Sequence, residues 1–183
     1  SSVKKQVLLV AKDLVESYIS RNSTKSKACY MDREIERDFL SAFPYKDTKD
    51  QGLVWGDIKK DLSSTKPMDR LVCGDVGFGK TELAIRSAFM CSVNGLNASV
   101  LAPTTILAKQ LFISFKERLG PFGIKVVFMS RFSTKKDQEA AEVCFMSEQG
   151  VVLVGTHKIV FNELILKKSN LMIVDDEHKF GVK

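Results

Sequence analysis

A glycine-rich stretch of eight residues carries the clearest chemical signature in this sequence. Residues 74–81 match the pattern G-x-x-x-x-G-K-[ST] at every fixed position. Glycines let the backbone curl so that successive N–H groups point at phosphate oxygens, and a helix after the stretch adds the positive end of its dipole. Lys80 can reach the β- and γ-phosphates of a nucleoside triphosphate, and the Thr81 hydroxyl can ligate Mg²⁺. The residues predicted to bind the nucleotide here are Gly74, Asp75, Val76, Gly77, Phe78, Gly79, Lys80, Thr81 and Glu82.

An apolar run that ends in acidic residues predicts the metal side of the same site. Residues 171–174 are Leu-Met-Ile-Val, and Asp175, Asp176, Glu177 and His178 follow. In P-loop motors the acid at the end of such a strand holds Mg²⁺, and Asp175 is the candidate here. Asp176 is then placed to orient and deprotonate the attacking water. Alone, the run would be more typical of an acidic turn at a strand end, but the upstream glycine-rich stretch favours the catalytic interpretation. Two interpretations of His178 stay open: it couples nucleotide state to a nucleic-acid site, or it is a surface histidine.

Two interpretations compete for Gln51. Together with Thr48 it forms the capping box T-x-x-Q at the start of a predicted helix, which is a structural task. A side-chain amide can also donate to and accept from adenine, while Phe43 stacks on the base. Because one side chain cannot serve both roles at once, the pattern alone favours the cap.

The elements that must position these residues alternate between short apolar strands and helices from residue 70 onward. Strands that are apolar at successive positions indicate a parallel sheet covered by helices on both faces. The predicted strands are 71–73, 99–102, 126–129, 151–154 and 171–174, and the predicted helices are 81–93, 105–119, 135–147 and 158–164. The alternation predicts a doubly wound α/β domain that binds ligands beyond the carboxyl ends of its strands, and the glycine-rich stretch makes it a P-loop domain.

The first 42 residues are predicted to form a helical connector, with the α/β domain spanning 43–183 and stopping short of completion. Apolar residues at helical spacing predict an amphipathic helix over 3–20, and a polar linker follows over 21–27. Two further helices are predicted, over 32–40 and over 50–62. Since the sequence has no initiating Met and ends without a stop signal, it reads as a piece of a longer protein.

Composition is typical of a globular domain. Of 183 residues, 44% are hydrophobic and 27% are charged, with a net charge of +6 that suits either a polyanion partner or a solvated surface. No apolar run approaches the ~18 residues of a membrane span. The four cysteines form no CxxC pair, so no structural metal is predicted. Cys73, Cys91 and Cys144 have apolar neighbours and are expected to be buried in the core. This use of cysteine suggests a protein of a reducing compartment.

Several blocks, in order, resemble the bacterial transcription-repair coupling factors. They cover nearly all of 43–183, and residues 1–42 resemble the basic connector of that family. RecG-type helicases share the layout but usually carry serine where Phe78 stands, and they differ around 130–132. The matching blocks are 43–51, 67–82, 101–108, 130–132, 155–158 and 175–182.

The resemblance implies the first RecA-like motor domain of a superfamily two translocase on double-stranded DNA, using ATP and Mg²⁺. Such a protein displaces stalled RNA polymerase, recruits excision-repair proteins and needs a second RecA-like lobe, so this piece alone is expected to hydrolyse ATP poorly. The implied compartment is the bacterial cytoplasm, or the plastid stroma for a divergent lineage. The resemblance favours the adenine role of Gln51. It also assigns sequence-independent DNA contacts to Thr104, Thr105, Arg131, Thr156 and His157.

Two departures from the family pattern keep alternatives open. Asp176 stands where the family's acidic box usually has glutamate, which leaves a catalytically weakened nucleotide-binding scaffold as one alternative. A RecG-like or other superfamily two helicase is another. Gly52 and Gly56 lie inside the predicted helix after Gln51, where each costs up to ~1 kcal/mol.

Overall fold

Four short strands form an all-parallel sheet in the order β2-β3-β1-β4. The computed structural model of the protein describes residues 24–75 and 77–175. Every position of the two central strands, β1 and β3, is buried, as expected for a sheet covered on both faces. The predicted α/β fold with a parallel sheet is therefore confirmed. The strands are β1 (Ala98–Leu101), β2 (Val126–Met129), β3 (Val152–Gly155) and β4 (Leu171–Val174).

Helices pack on both faces of this sheet. The described α-helices are α1 (Arg33–Ser41), α2 (Lys49–Leu62), α3 (Lys80–Val93), α4 (Thr105–Leu119), α5 (Lys135–Ser147) and α6 (Glu163–Lys168). Alternate residues of a strand point to opposite faces. Val152 and Val154 accordingly join a core with α3 and α4, whereas Leu153 joins a second core with α5 and α6.

Local capping chemistry explains where most of these helices begin. Five of the six described α-helices start at a side chain that accepts a backbone N–H of the first turn, which satisfies a donor with no partner inside the helix. The exception is α3, whose N-cap is Gly79. The capping residues are Asp32, Thr48, Thr104, Thr134 and Asn162.

The helix predicted over 158–164 is wrong. Residues His157–Ile159 form a single 3₁₀ turn instead, and α6 begins only at Glu163. The reason is Asn162, whose side-chain oxygen accepts the N–H groups of Leu164 and Ile165 at 3.1 and 3.2 Å. The other predicted helices within the described residues agree with the structure to within one residue at each end.

The strand predicted over 71–73 is also wrong. This segment pairs with none of the four strands, and Leu71 is 77% exposed. Residues 66–74 and β4 both line a cavity of about 960 Å³. This cavity separates the two segments, so they form no strand ladder. The apolar pattern favoured a strand, but a ladder also needs a partner strand within hydrogen-bonding distance.

The N-terminal elements pack against the α/β core. The ring of Phe39 in α1 stacks on that of Phe89 in α3, with centroids 3.8 Å apart. Glu36 accepts hydrogen bonds from Trp55 Nε1 at 3.0 Å and Lys59 Nζ at 2.8 Å, which tie α1 to α2. The predicted helix over 3–20 lies outside the described residues. The predicted boundary between residues 42 and 43 stays a prediction.

The cysteines differ from expectation. Cys91 is buried as predicted, but Cys73 is exposed and Cys144 is only half-buried. Cys73 belongs to the unpaired segment described above, so no neighbouring strand covers it. Cys29, which its sequence neighbours did not single out, is buried. None of the described helices is both long and apolar enough to cross a membrane.

Candidate functional site

The glycine-rich stretch folds into a loop that leads directly into α3. Gly77 and Gly79 have φ values of +87° and +80°, in the left-handed region that side chains other than glycine rarely adopt. A Cβ on Gly79 would also lie 2.5 Å from Gln51 Nε2, so the Gln51 side chain would have to move in addition to the backbone strain. No side chain caps α3, so its first N–H groups are available to an anion. Val76 lies outside the described residues.

Lys80 lies against this loop. Its ammonium donates to the carbonyl oxygens of Gly74 and Asp75. Thr81 follows at the exposed first turn of α3. A cation and a hydroxyl therefore stand beside uncapped N–H groups, an arrangement that can bind a polyphosphate and its metal ion.

Asp175 lies at the same cavity, although it is far from the glycine-rich stretch in the sequence. It follows β4 immediately, and its N–H donates to Leu101 O at 2.9 Å, which continues the parallel pairing with β1. Asp175 lines the 960 Å³ cavity together with Lys80 and Thr81. The structure thus brings together the phosphate-side and metal-side residues that the sequence predicted separately. Asp176, Glu177 and His178 lie outside the described residues.

Gln51 forms the capping box and also contacts the glycine-rich loop. Its Oε1 accepts the Thr48 N–H at 2.7 Å, and Thr48 Oγ1 accepts the Gln51 N–H at 3.2 Å. The amide donor Nε2 meanwhile bonds Phe78 O at 2.6 Å. The side-chain oxygen of Gln51 therefore completes the cap, and its side-chain nitrogen bonds the loop. The adenine role of Gln51 stays a prediction.

The carboxyl ends of β1, β2 and β3 carry the residues predicted to contact DNA. Thr104 is exposed and caps α4 by accepting Leu107 N–H at 3.2 Å, and Thr105 is half-exposed beside it. Arg131 is exposed after β2, with its guanidinium carbon 4.7 Å from the centre of the Phe132 ring. Phe132 itself is 70% exposed. These groups share one edge of the sheet with Asp175.

The two residues after β3 differ from each other. His157 is exposed, and its ring centroid is 6.0 Å from that of Phe161. Thr156 is only 2% exposed, and its hydroxyl has no hydrogen-bond partner among the described residues. The other four predicted DNA contacts are at least partly exposed, whereas Thr156 lies beneath the surface. All five DNA contacts stay predictions.

Comparison with known proteins places this site in a family. The model of the DEAD/DEAH box helicase family matches residues 48–183, which is most of the chain. The chain belongs to the DEAD/DEAH box helicase family. The transcription-repair-coupling factors of Bacillus subtilis and Escherichia coli are 43% and 38% identical to it, over 98% and 95% of the chain. The predicted resemblance to these proteins is confirmed.

This helicase chain is much shorter than its relatives. It spans 15% of the length of each of those two coupling factors. A solved structure, "Structure of RecG bound to three-way DNA junction", superimposes with a TM-score of 0.77 at 26% identity. The match covers 92% of this chain and 23% of that one. The likeness to RecG supports the helicase fold described above.

The helicase domain also contains a buried ionic network that the sequence did not reveal. Arg86 donates to both carboxylate oxygens of Asp47, at 2.6 and 2.8 Å, and to Glu82 at 3.0 Å. Arg118 donates to Glu82 at 2.7 Å and lies 5.4 Å from the Phe43 ring centre. Glu82 is thus held by two arginines, and its predicted contact with nucleotide stays a prediction.

Burial and ion pairing have opposite effects on the pKa of Arg86. Burial disfavours the charged guanidinium, but hydrogen bonds to Asp47 and Glu82 outweigh it and raise the pKa of Arg86 above its usual range. Only the i,i+4 spacing of Glu82 and Arg86 was visible in the sequence. Asp47 is 39 residues from Arg86, and no local pattern signals such a pair.

Proposed function

We propose that this chain is the ATP-binding lobe of a double-stranded DNA translocase that acts in transcription-coupled repair. The observation that carries the proposal is the meeting of Lys80, Thr81 and Asp175 in one cavity, beside an uncapped helix start. Each of these residues has the chemistry that phosphoryl transfer requires at its position. The coupling-factor relatives supply the biological setting.

The residues of this lobe divide the work of ATP hydrolysis. Lys80 and the first N–H groups of α3 hold the phosphates and offset the charge that grows on the γ-phosphate in the transition state. The Thr81 hydroxyl and the Asp175 carboxylate offer the hard oxygen ligands that Mg²⁺ prefers, so the donor set fits this ion. When bound, Mg²⁺ neutralises phosphate charge. Asp176 orients and deprotonates the attacking water.

The carboxyl edge of the sheet contacts double-stranded DNA in this proposal. The exposed side chains of Thr104, Arg131 and His157 suit contacts with phosphates, which carry no sequence information. A motor that steps over any sequence needs such contacts. RNA polymerase, excision-repair proteins and a second RecA-like lobe engage the complete protein, since the relatives are much longer than this chain.

The decisive experiment measures ATP turnover by the full-length protein with linear duplex DNA, branched DNA, RNA or no nucleic acid. We expect stimulation by linear duplex DNA and loss of turnover in Lys80→Ala. Lys109→Ala, which removes an exposed lysine from α4, is the matched control and should behave as wild type.

Each other outcome contradicts the proposal in a distinct way. Stimulation by RNA alone would indicate an RNA helicase. A strict need for branched DNA would favour a fork-remodelling enzyme like RecG. Nucleotide binding without turnover under any condition would identify a scaffold, the alternative that Asp176 keeps open.

A further inference from the structure

Two buried cysteines that are distant in sequence touch each other. The sulfur atoms of Cys29 and Cys91 are 3.8 Å apart, although 62 residues separate them. Cys29 is 3% exposed and Cys91 is 2% exposed. Cys29 belongs to the extended segment before α1, and Cys91 belongs to α3. Neither residue has any part in the proposed nucleotide chemistry, so the inference drawn from them is independent of that function.

Hydrogen bonds to the ends of α2 and α3 hold Cys29 in place. The Cys29 N–H donates to Leu62 O at 2.8 Å. The next residue, Tyr30, donates its N–H to the Asn94 side chain at 3.0 Å and accepts the Asn94 amide at 2.7 Å. The sulfur contact is therefore fixed by neighbouring backbone groups. A disulfide has its sulfurs ~2.0 Å apart, so bonding requires an approach of only ~1.8 Å from the observed separation.

A small oxidant has a route to both sulfurs. Cys29 and Cys91 line the 960 Å³ cavity that also reaches the glycine-rich loop. The contact with Cys91 lowers the pKa of Cys29 in spite of its burial, and the contact with Cys29, together with burial, raises the pKa of Cys91.

We propose that Cys29 and Cys91 are a reversible oxidation site, which closes to a disulfide and fastens the segment before α1 to helix α3. With hydrogen peroxide as oxidant, the thiolate of one of the two cysteines attacks one peroxide oxygen. The O–O bond breaks, one water is released and a sulfenic acid forms. The sulfur of the other cysteine then attacks the sulfenic sulfur, the S–O bond breaks and a second water leaves. Two thiols are oxidised by two electrons, and one peroxide is reduced to two waters.

The bond would covalently link two parts of the chain that hydrogen bonds and apolar packing now join. Helix α3 begins at the glycine-rich loop and carries Cys91 near its other end. Oxidation would therefore prevent the segment around Cys29 from leaving the helix that positions the phosphate-binding residues. It would also close a long loop, which restricts the unfolded chain.

Peptide mapping of the 183-residue chain tests the site directly, because trypsin places the four cysteines on four different peptides. After peroxide treatment and blocking of free thiols under denaturing conditions, we expect peptide 28–33 to be linked to peptide 87–109. Thiol reductant should separate them. Cys73 and Cys144 lie on peptides 71–80 and 137–158 and should remain free for blocking. Free Cys29 and Cys91 after treatment, or Cys29 linked to Cys73, would overturn the proposal.

A second measurement follows the intact buried pair, and single variants of the pair serve only as controls. In Cys73→Ser/Cys144→Ser, which retains only the pair, peroxide should raise the melting temperature by several degrees, and reductant should reverse the shift. The single variants Cys29→Ser and Cys91→Ser, in the same background, should show no such rise. An unchanged melting temperature in the variant that retains the pair would contradict a closed disulfide.

Discussion

At the scale of single residues, Gln51 shows how a capping residue can also contact the phosphate-binding loop. Its acceptor atom completes the capping box of α2, and its donor atom holds the Phe78 carbonyl 27 residues away. The local half of this arrangement was predictable, because a capping box lies within four consecutive residues. The contact with Phe78 was not, since it depends on how α2 packs beside the loop.

Two substitutions at Gln51 separate its tasks. Gln51→Ala removes both contacts and should lower the free energy of unfolding by ~0.5–2 kcal/mol, as for other lost caps. Gln51→Glu keeps an acceptor for the Thr48 N–H but loses the donor to Phe78 O. It should therefore retain most of the stability while weakening the preference for ATP over GTP. Urea unfolding and competition between the two nucleotides measure these effects. Equal nucleotide preference in wild type and Gln51→Glu would show that Gln51 does not recognise the base.

The functional residues that the sequence predicted belong to short contiguous motifs. The residues that it missed interact with partners far away along the chain. Lys80 and Asp175 belong to contiguous motifs whose chemistry is readable in a short window. The pairs Arg86–Asp47 and Arg118–Glu82 are separated by 39 and 36 residues along the chain, and only the packed fold brings them together. Long-range ion pairs of this kind leave no periodic signal in one sequence.

At the scale of elements, a glycine inside α2 lowers the stability of the protein, and the structure leaves room to replace it with alanine. Gly56 lies inside the helix, is exposed, and a Cβ added there would meet no atom within 4 Å. Gly56→Ala should therefore stabilise the protein by ~0.5–1 kcal/mol, because alanine loses less conformational freedom in a helix. Gly79→Ala is the opposite case, with a left-handed φ and Gln51 in the way. Thermal unfolding should rank Gly56→Ala above wild type and Gly79→Ala below it; any other order would contradict the packing.

Helix α3 connects the phosphate-binding loop to the segment before α2 through Arg86. Replacing Arg86 with Met leaves Asp47 without this partner and leaves Glu82 with Arg118 alone. Breaking a buried pair costs ~3–5 kcal/mol, and we expect the lower end because Glu82 keeps one arginine. Arg37→Met is the control, since Arg37 pairs with Asp38 on the exposed surface, where such pairs contribute ~0–1 kcal/mol. If urea unfolding gave similar losses for both variants, the network would be unimportant for stability.

At the scale of the whole molecule, the strand order explains how separate motifs come to share one edge. Parallel strands end at the same side of a sheet, so Asp175, Thr104, Thr156 and Arg131 follow β4, β1, β3 and β2 in spatial order. The alternation of strands and helices was enough to predict this edge. It was not enough to predict that residues 71–73 stay outside the sheet, because pairing depends on a partner strand and not on local apolarity. The burial of Thr156 likewise depends on the packing around β3.

The last prediction concerns DNA binding by the two-lobed protein. Arg131 lies at the far end of the edge from Asp175 and presents its charge on an exposed loop. If it contacts a phosphate, Arg131→Ala should weaken binding equally on all duplex sequences and reduce the slope of log affinity against log salt by about one. Arg131→Lys keeps the charge and should recover most of the slope. Lys167→Ala, which removes an exposed lysine at the end of α6 near the opposite edge of the sheet, should leave both affinity and slope unchanged. Salt titrations of DNA binding on two unrelated duplexes measure the effect. A loss confined to one sequence would instead mean that Arg131 reads bases, which is incompatible with a motor that moves along any DNA.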